Sequence, residues 1–123
     1  MSAEEFLSQY ERLTNTHDFD QVSALIDDEA IFWFSSGSYS GKVAIRAAFE
    51  RTWNVIREEK YAIRDVVCVA KSEATACYVY TFHWEGLIDG KMAQGKGRGS
   101  SVIVRKGRDW KVAHEHLSGF PQA

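Results

Sequence analysis

Proline is almost missing from this chain. The one proline, Pro121, lies near the C-terminal end, so no Pro-rich linker divides the sequence. Cysteine is scarce too. Cys68 and Cys77 are too few for a disulfide framework, and free thiols are expected. Charge of one sign is also lacking: 15 Lys and Arg against 17 Asp and Glu leave a net charge of −2. No basic surface is available to neutralise phosphates, which argues against a nucleic-acid partner. No apolar run approaches the ~20 residues of a membrane span, and the segment Met1 to Glu5 is acidic, unlike a signal peptide. A cytosolic protein without a membrane partner is expected. Repeats and low-complexity stretches do not occur.

What is present is enough for one domain with its own core. The chain has 123 residues, 45% hydrophobic and 26% charged. Aromatic residues make up 13%, and rings that abundant must fill a core, line a pocket or form an interface. Ser2 and Glu5 read as a capping box, followed by Phe6, Tyr10 and Leu13 at helical spacing to about Asn15. Asp18 caps a second, short helix with an apolar stripe of Val22, Leu25 and Ile26; Asp27 and Asp28 close it and are expected to face water. Ala30 to Phe34 reads as a strand. Ser35 to Gly41 is a turn with a brief strand at Tyr39. Gly41 starts a third helix that buries Ile45, Ala48, Phe49, Trp53 and Ile56 and exposes an Arg46–Glu50 pair.

After Lys60 the pattern changes to strands: Tyr61 to Ala70, Thr75 to Gly86, Lys91 to Lys106 and Asp109 to Ser118, with Asp89-Gly90 as the strongest hairpin signal. Helices first and antiparallel strands after imply an α+β fold, with three helices packed on one face of a curved sheet. A two-residue turn at Ser72-Glu73 sets Cys68 opposite Cys77, where the two buried thiols would stay unless oxidised to a strained bridge. A two-residue turn at Asp89-Gly90 sets Tyr80, Phe82 and Trp84 opposite Gly99, Gly97 and Gly95, so that each ring covers bare backbone.

The final segment, GRGSSVIVRKGRDWKVAHEHLSG at residues 97 to 119, resembles the last hairpin of the nuclear transport factor 2-like superfamily, most closely its SnoaL-like branch. HDFDQVSALIDDEA (17 to 30) and SGKVAIRAAFERTW (40 to 53) support the resemblance, which spans nearly the whole chain, 1 to 123 as a single domain, and extends to the association domain of calcium/calmodulin-dependent kinases. It implies a cone with a pocket between the concave face of the sheet and the helices. The pocket side would carry Phe34, Ile45, Phe49, Trp53, Tyr80, Phe82, Trp84, Ser101, Glu115 and Leu117, with Tyr10 also in reach. It also implies a homodimer through the outer sheet face, with His83, Trp110, His114, His116 and Ser118 on that side. The ketosteroid isomerases of the superfamily place a general-base Asp near the end of the first strand. Here that position is Phe34, and no Asp or Glu occurs in Ala30 to Gly37, which argues against steroid-type proton shuttling.

The candidate chemistry rests on Glu115. A carboxyl enclosed by aromatic rings exchanges protons near neutral pH, unless it serves as a structural ion pair with Arg98 or another cation. Tyr80 and Tyr10 are candidate phenolic donors or, alternatively, core rings with satisfied hydroxyls. His114 and His116 share one strand face and could bind a metal if His83 converged on them. No CxxC or HExxH pattern supports this, and interface or hydrogen-bonding histidines are the simpler reading. Gly95, Gly97 and Gly99 lie within a strand with no helix following, which rejects a phosphate loop or dinucleotide fingerprint. Lys96 and Arg98 either steer an anion at the pocket mouth or lie on a solvated strand face.

The last hairpin leaves a register conflict. A two-residue turn at Gly107-Arg108 pairs Ser101 with His114 and buries Trp110 and Val112 on the core face. A three-residue turn, Gly107 to Asp109, pairs Ser101 with Glu115 and sends Trp110 to the dimer side. The family resemblance favours the second arrangement. The resulting expectation is a cofactor-free site for a small apolar or aromatic molecule, either an isomerase, cyclase or hydratase using Glu115, or a non-enzymatic ligand-binding or assembly domain.

Overall fold

A computed structural model describes residues 2–121. Met1, which opens the acidic N-terminal segment, and positions 122 and 123 lie outside the described residues. The elements run α1 (Ala3–Thr14), α2 (Phe19–Ser23), β1 (Ile26–Phe34), β2 (Gly37–Ser40), α3 (Gly41–Val55), β3 (Arg57–Lys71), β4 (Thr75–Ile88), β5 (Lys91–Lys106) and β6 (Asp109–Gly119). The α+β reading holds. One six-stranded sheet has the order β2-β1-β6-β5-β4-β3, antiparallel throughout except for the parallel pair β1–β6.

The helices form where the sequence supplies their ends and stripes. The Ser2 hydroxyl accepts from the Glu5 amide and the Glu5 carboxylate accepts from the Ser2 amide, so two orphan donors are satisfied at once. Asp18 caps α2 through the Asp20 amide. α3 buries Ile45, Ala48, Phe49 and Trp53, and Arg46 pairs with Glu50 and Asp20 on its outer side. The main core joins Phe6, Tyr10, Phe19, Val22, Phe32, Ile45, Tyr78, Ile103 and Val112 between the helices and the concave face.

Three expectations need correction. Asp27 does not end a helix in water. It lies in β1, 7% exposed, where its carboxylate pairs with Lys106 and accepts from the Glu29 amide. The cysteines are not opposed. The turn is wider than two residues: Lys71 pairs with Ala76, which sets Cys77 opposite Ala70, and a bulge between Cys68 and Ala70 then sets Cys68 opposite Tyr78. Cys68 is exposed and Cys77 half-buried, both as free thiols.

The third correction resolves the register conflict of the last hairpin. The turn is the two-residue one, Lys106 opposite Asp109, yet Ser101 still faces Glu115. A bulge makes both true: Ile103 pairs with Val112 and Val102 with His114, so Ala113 is the extra residue. The extra residue changes the side-chain phase of β6 midway. Trp110 and Val112 therefore point into the core before the bulge, and Glu115 and Leu117 point to the same side after it. Trp110, 8% exposed, is a core residue and not a dimer contact. Trp110→Ala is expected to cost about 3–5 kcal/mol, measured by urea unfolding. A loss below ~1 kcal/mol would place Trp110 outside the core.

Candidate functional site

The site begins with glycines. Tyr80, Phe82 and Trp84 of β4 lie directly opposite Gly99, Gly97 and Gly95 of β5, as the Asp89-Gly90 turn requires. A Cβ at Gly95 would stand 2.4 Å from Trp84 Nε1 and one at Gly99 would stand 2.3 Å from Tyr80 Cε2. The missing side chains let the rings lie flat on the sheet and keep the concave face hollow.

Between this face and helices α1 and α3 lies a cavity of about 310 Å³. Its walls are Tyr10 and Thr14 of α1, Phe34 with Ser35 and Ser36 at the end of β1, and Phe49, Thr52, Trp53 and Ile56 along α3. Glu59 and Tyr61 come from β3, Phe82 and Trp84 from β4, and Glu115 and Leu117 from β6. The rings pack as a continuous lining: Phe34 on Phe49, Phe49 on Trp53, and Tyr61 stacked on Phe82 at 6.1 Å.

Of the residues singled out in the sequence, Tyr10, Phe34, Phe49, Trp53, Phe82, Trp84, Glu115 and Leu117 meet at this cavity. Three others do not reach its wall. Ile45 is fully buried in the core. Tyr80 and Ser101 bond to each other, hydroxyl to hydroxyl at 2.8 Å, and the tyrosines of the cavity wall are Tyr10 and Tyr61, not Tyr80.

Glu115 is 2% exposed. Burial pushes its carboxyl up to about 7, against a smaller opposing effect of the Tyr10 phenol. The Tyr10 phenol and the Glu115 carboxyl stand close enough to influence each other, and the Tyr10 hydroxyl, the Thr14 Oγ1 and the Glu115 Oε1 are all buried without a well-formed hydrogen bond among the described residues. Arg98 does not pair with Glu115. It lies on the opposite face of the sheet, where Arg98 and Lys96 both stand over the Phe120 ring, away from the cavity. The Tyr10, Tyr61 and Tyr80 phenols are all raised above their ordinary range, first by burial and then by nearby acidic and phenolic groups. They stay protonated at neutral pH.

Glu59 lies outside the set of residues that the sequence singles out. By sequence the strands start only after Lys60, but the helix ends at Val55, β3 begins at Arg57 and Glu59 turns inward on a bulge of β3. Glu58 takes a left-handed conformation, φ 54°, with no glycine to announce it. Opposite the bulge, Gly86 leaves room: a Cβ there would sit 2.6 Å from Ile56 Cγ2 and 2.9 Å from the Arg57 carbonyl. His17 stacks on Trp53 and its Nε2–H donates to the Glu59 carbonyl at 2.8 Å, which fixes the bulge from the helical side. Glu59 is 8% exposed and burial alone pushes its carboxyl up to about 7. Gly86, a glycine inside a long aromatic strand, is the one sequence signal that marks this approach.

The histidines lie elsewhere. His114 and His116 flank Trp33 on the outer face of the sheet, with ring centroids 5.0 and 5.7 Å from the indole, and His114 Nδ1–H donates to the Ile31 carbonyl. His83 shares that face farther along, opposite Lys96. Among the described residues no group of three His, Cys, Asp or Glu side chains is placed to hold a metal, and no helix is long and apolar enough to cross a membrane.

Solved structures share this architecture. A nuclear transport factor 2-like superfamily protein from Salmonella enterica superposes with a TM-score of 0.86 at 17% identity, over 96% of this chain and 88% of that one. A provisionally assigned calcium/calmodulin-dependent protein kinase II association domain from Xanthomonas campestris gives 0.84 at 15%, over 95% and 84%. A provisionally assigned scytalone dehydratase from Novosphingobium aromaticivorans gives 0.81 at 14%, over 96% and 81%. At these identities the likeness establishes the fold alone. No curated protein matches the sequence. The model of the SnoaL-like domain matches residues 3–123, and with the cone-shaped sheet and helix-covered cavity in place, the chain belongs to the SnoaL-like family.

Proposed function

We propose that the cavity binds a small, largely apolar or aromatic molecule and that Glu115 moves a proton on it, as an isomerase, cyclase or hydratase without a cofactor. The observation that carries this reading is the trio of buried, unpartnered polar atoms in an aromatic wall: Tyr10 hydroxyl, Thr14 Oγ1 and Glu115 Oε1. Buried polar groups in folded proteins are normally hydrogen-bonded, and three orphans at one cavity fit a ligand that supplies the missing partners. A carboxyl near 7 is balanced between giving and taking a proton at neutral pH. Tyr10 supplies a fixed hydrogen bond to the polar atom where charge develops, and Phe34, Phe49, Trp53, Phe82, Trp84 and Leu117 exclude water and grip the apolar part.

The test begins with native mass spectrometry of the protein incubated with metabolite extracts, followed by turnover assays on whatever it retains. Glu115→Gln is expected to retain the adduct and lose roughly 100-fold or more in rate. Unchanged turnover in that variant would remove Glu115 from the chemistry.

A homodimer through the outer face is the second part of the proposal. Ile31 and Trp33 are 43% and 46% exposed on that face, between His114 and His116. Large apolar side chains grouped on a sheet face mark an interaction surface. Trp33 thus takes the anchoring place that Trp110 vacates. Trp33→Glu is expected to give a folded monomer in analytical ultracentrifugation where the parent is a dimer. A variant that sediments like the parent would reject the assignment.

A further inference from the structure

The charge of the cavity wall is one-sided. Two carboxyls, Glu59 and Glu115, face it, and no Lys, Arg or His lines it. Arg51 of α3 is engaged with the Tyr39 hydroxyl, which in turn bonds Ser36 of the wall. The Glu59 side chain has no hydrogen bond or ion pair among the described residues, and the residue is 8% exposed. Around the two acids stand the faces of Trp53, Tyr61, Phe82 and Trp84. Aromatic faces carry negative potential and attract cations, the more so where water is excluded. A buried carboxylate without a partner is costly, and a cation on the ligand would remove that cost.

From this arrangement we infer that the ligand is an organic cation, an amine on an aromatic or alkyl skeleton, with its ammonium group held by Glu59 inside the ring of indole and phenyl faces. The inference rests on the small-molecule reading of the same cavity. The two acids then have separate roles. Glu59 anchors the charge, and Glu115 is left to exchange the proton. An anionic ligand is excluded by the same wall, since two acids would oppose it and no base would receive it.

The pH dependence follows with a definite sign. Burial holds Glu59 protonated up to about 7, so an ammonium binding below that pH must first displace a proton, while above it the carboxylate is ready. The other titratable groups facing Glu59 are Tyr61 on its own strand, Glu115 on β6 and Tyr10 on α1, with His17 on its backbone carbonyl. Helix α3 and strand β4 face the cavity with groups that do not titrate.

The experiment is calorimetric titration of the wild-type protein with three ligands of one shape: 2-phenylethylamine, 2-phenylethanol and phenylacetate. The amine is expected to bind about tenfold or more tighter than the alcohol at pH 8, to weaken about tenfold between pH 8 and pH 6, and to release protons in the lower range. Phenylacetate is expected not to bind. Glu59→Gln, which keeps the shape of the side chain, is expected to abolish the preference for amine over alcohol. Equal or tighter binding of the alcohol would overturn the cation assignment and leave the small-molecule reading standing. Tightest binding of phenylacetate would do the same. Failure of all three to bind would count against both.

Discussion

Glu115→Gln is expected to stabilise the folded protein by about 3 kcal/mol at pH 8 and to leave its stability at pH 4 nearly unchanged. The carboxyl has an ordinary value of 4.5 and is pushed to about 7 in the fold. Between those values the folded state binds the proton and the unfolded state does not. The stabilisation from that proton is complete below 4.5 and lost as pH rises through 7. Wild-type protein therefore becomes less stable between pH 5 and pH 8, because an ionised Glu115 must then sit at 2% exposure beside aromatic rings. Glutamine has the same shape and no charge to desolvate. The same sign and a similar size apply to Glu59→Gln. Urea unfolding at pH 4, 6 and 8 of the parent and both variants measures this. A parent whose stability rises from pH 5 to pH 8, with no gain in either glutamine variant, would mean that the two carboxyls are ionised and well partnered.

Gly97→Ala carries the second large effect. The added Cβ would stand 2.2 Å from the Ser118 carbonyl oxygen and 2.5 Å from Phe82 Cζ. A backbone carbonyl on the paired strand cannot step aside, so either β5 and β6 separate or Phe82 is driven into the cavity. The expected cost is about 3 kcal/mol or more, read as a lowered urea midpoint and a weakened ligand response. Gly90→Ala is the contrast. Gly90 has φ 77° with nothing within 4 Å of a Cβ, so only the left-handed backbone is penalised, at roughly 1–2 kcal/mol. If the Gly97 variant were no worse than the Gly90 variant, the close approach of ring, glycine and carbonyl would not exist.

Much of this geometry is legible in the amino-acid order. Ser2 and Glu5, Asp18, the α3 stripe and the Asp89-Gly90 turn are local signals that act within three or four residues, and the register of Tyr80, Phe82 and Trp84 on the three glycines follows by counting from that turn. Bulges break the counting. Ala113 carries no mark in the sequence, yet it alone allows Trp110 and Glu115 to face the same side. The Cys68–Cys77 pairing fails at the turn itself, which is wider than two residues, since Lys71 pairs with Ala76. Glu59, which lines the cavity, is missed in the sequence for a related reason. Its inward turn depends on a left-handed Glu58 and on Gly86 of a strand nearly thirty residues away, so no local pattern shows that this charged stretch delivers a carboxyl to the cavity. The parallel pairing of β1 with β6 is likewise a long-range match that no local pattern announces.

Protonatable carboxyls in the cavity wall underlie both proposals, proton exchange at Glu115 and cation binding at Glu59. Carbon-13 NMR of the side-chain carboxyls, titrated from pH 3 to pH 9 and assigned with Glu115→Gln and Glu59→Gln, measures them directly. Two carboxyl resonances with midpoints near 7, each lost in its own variant, are the predicted result. Midpoints near the ordinary 4.5 for both would contradict the proton-exchanging site.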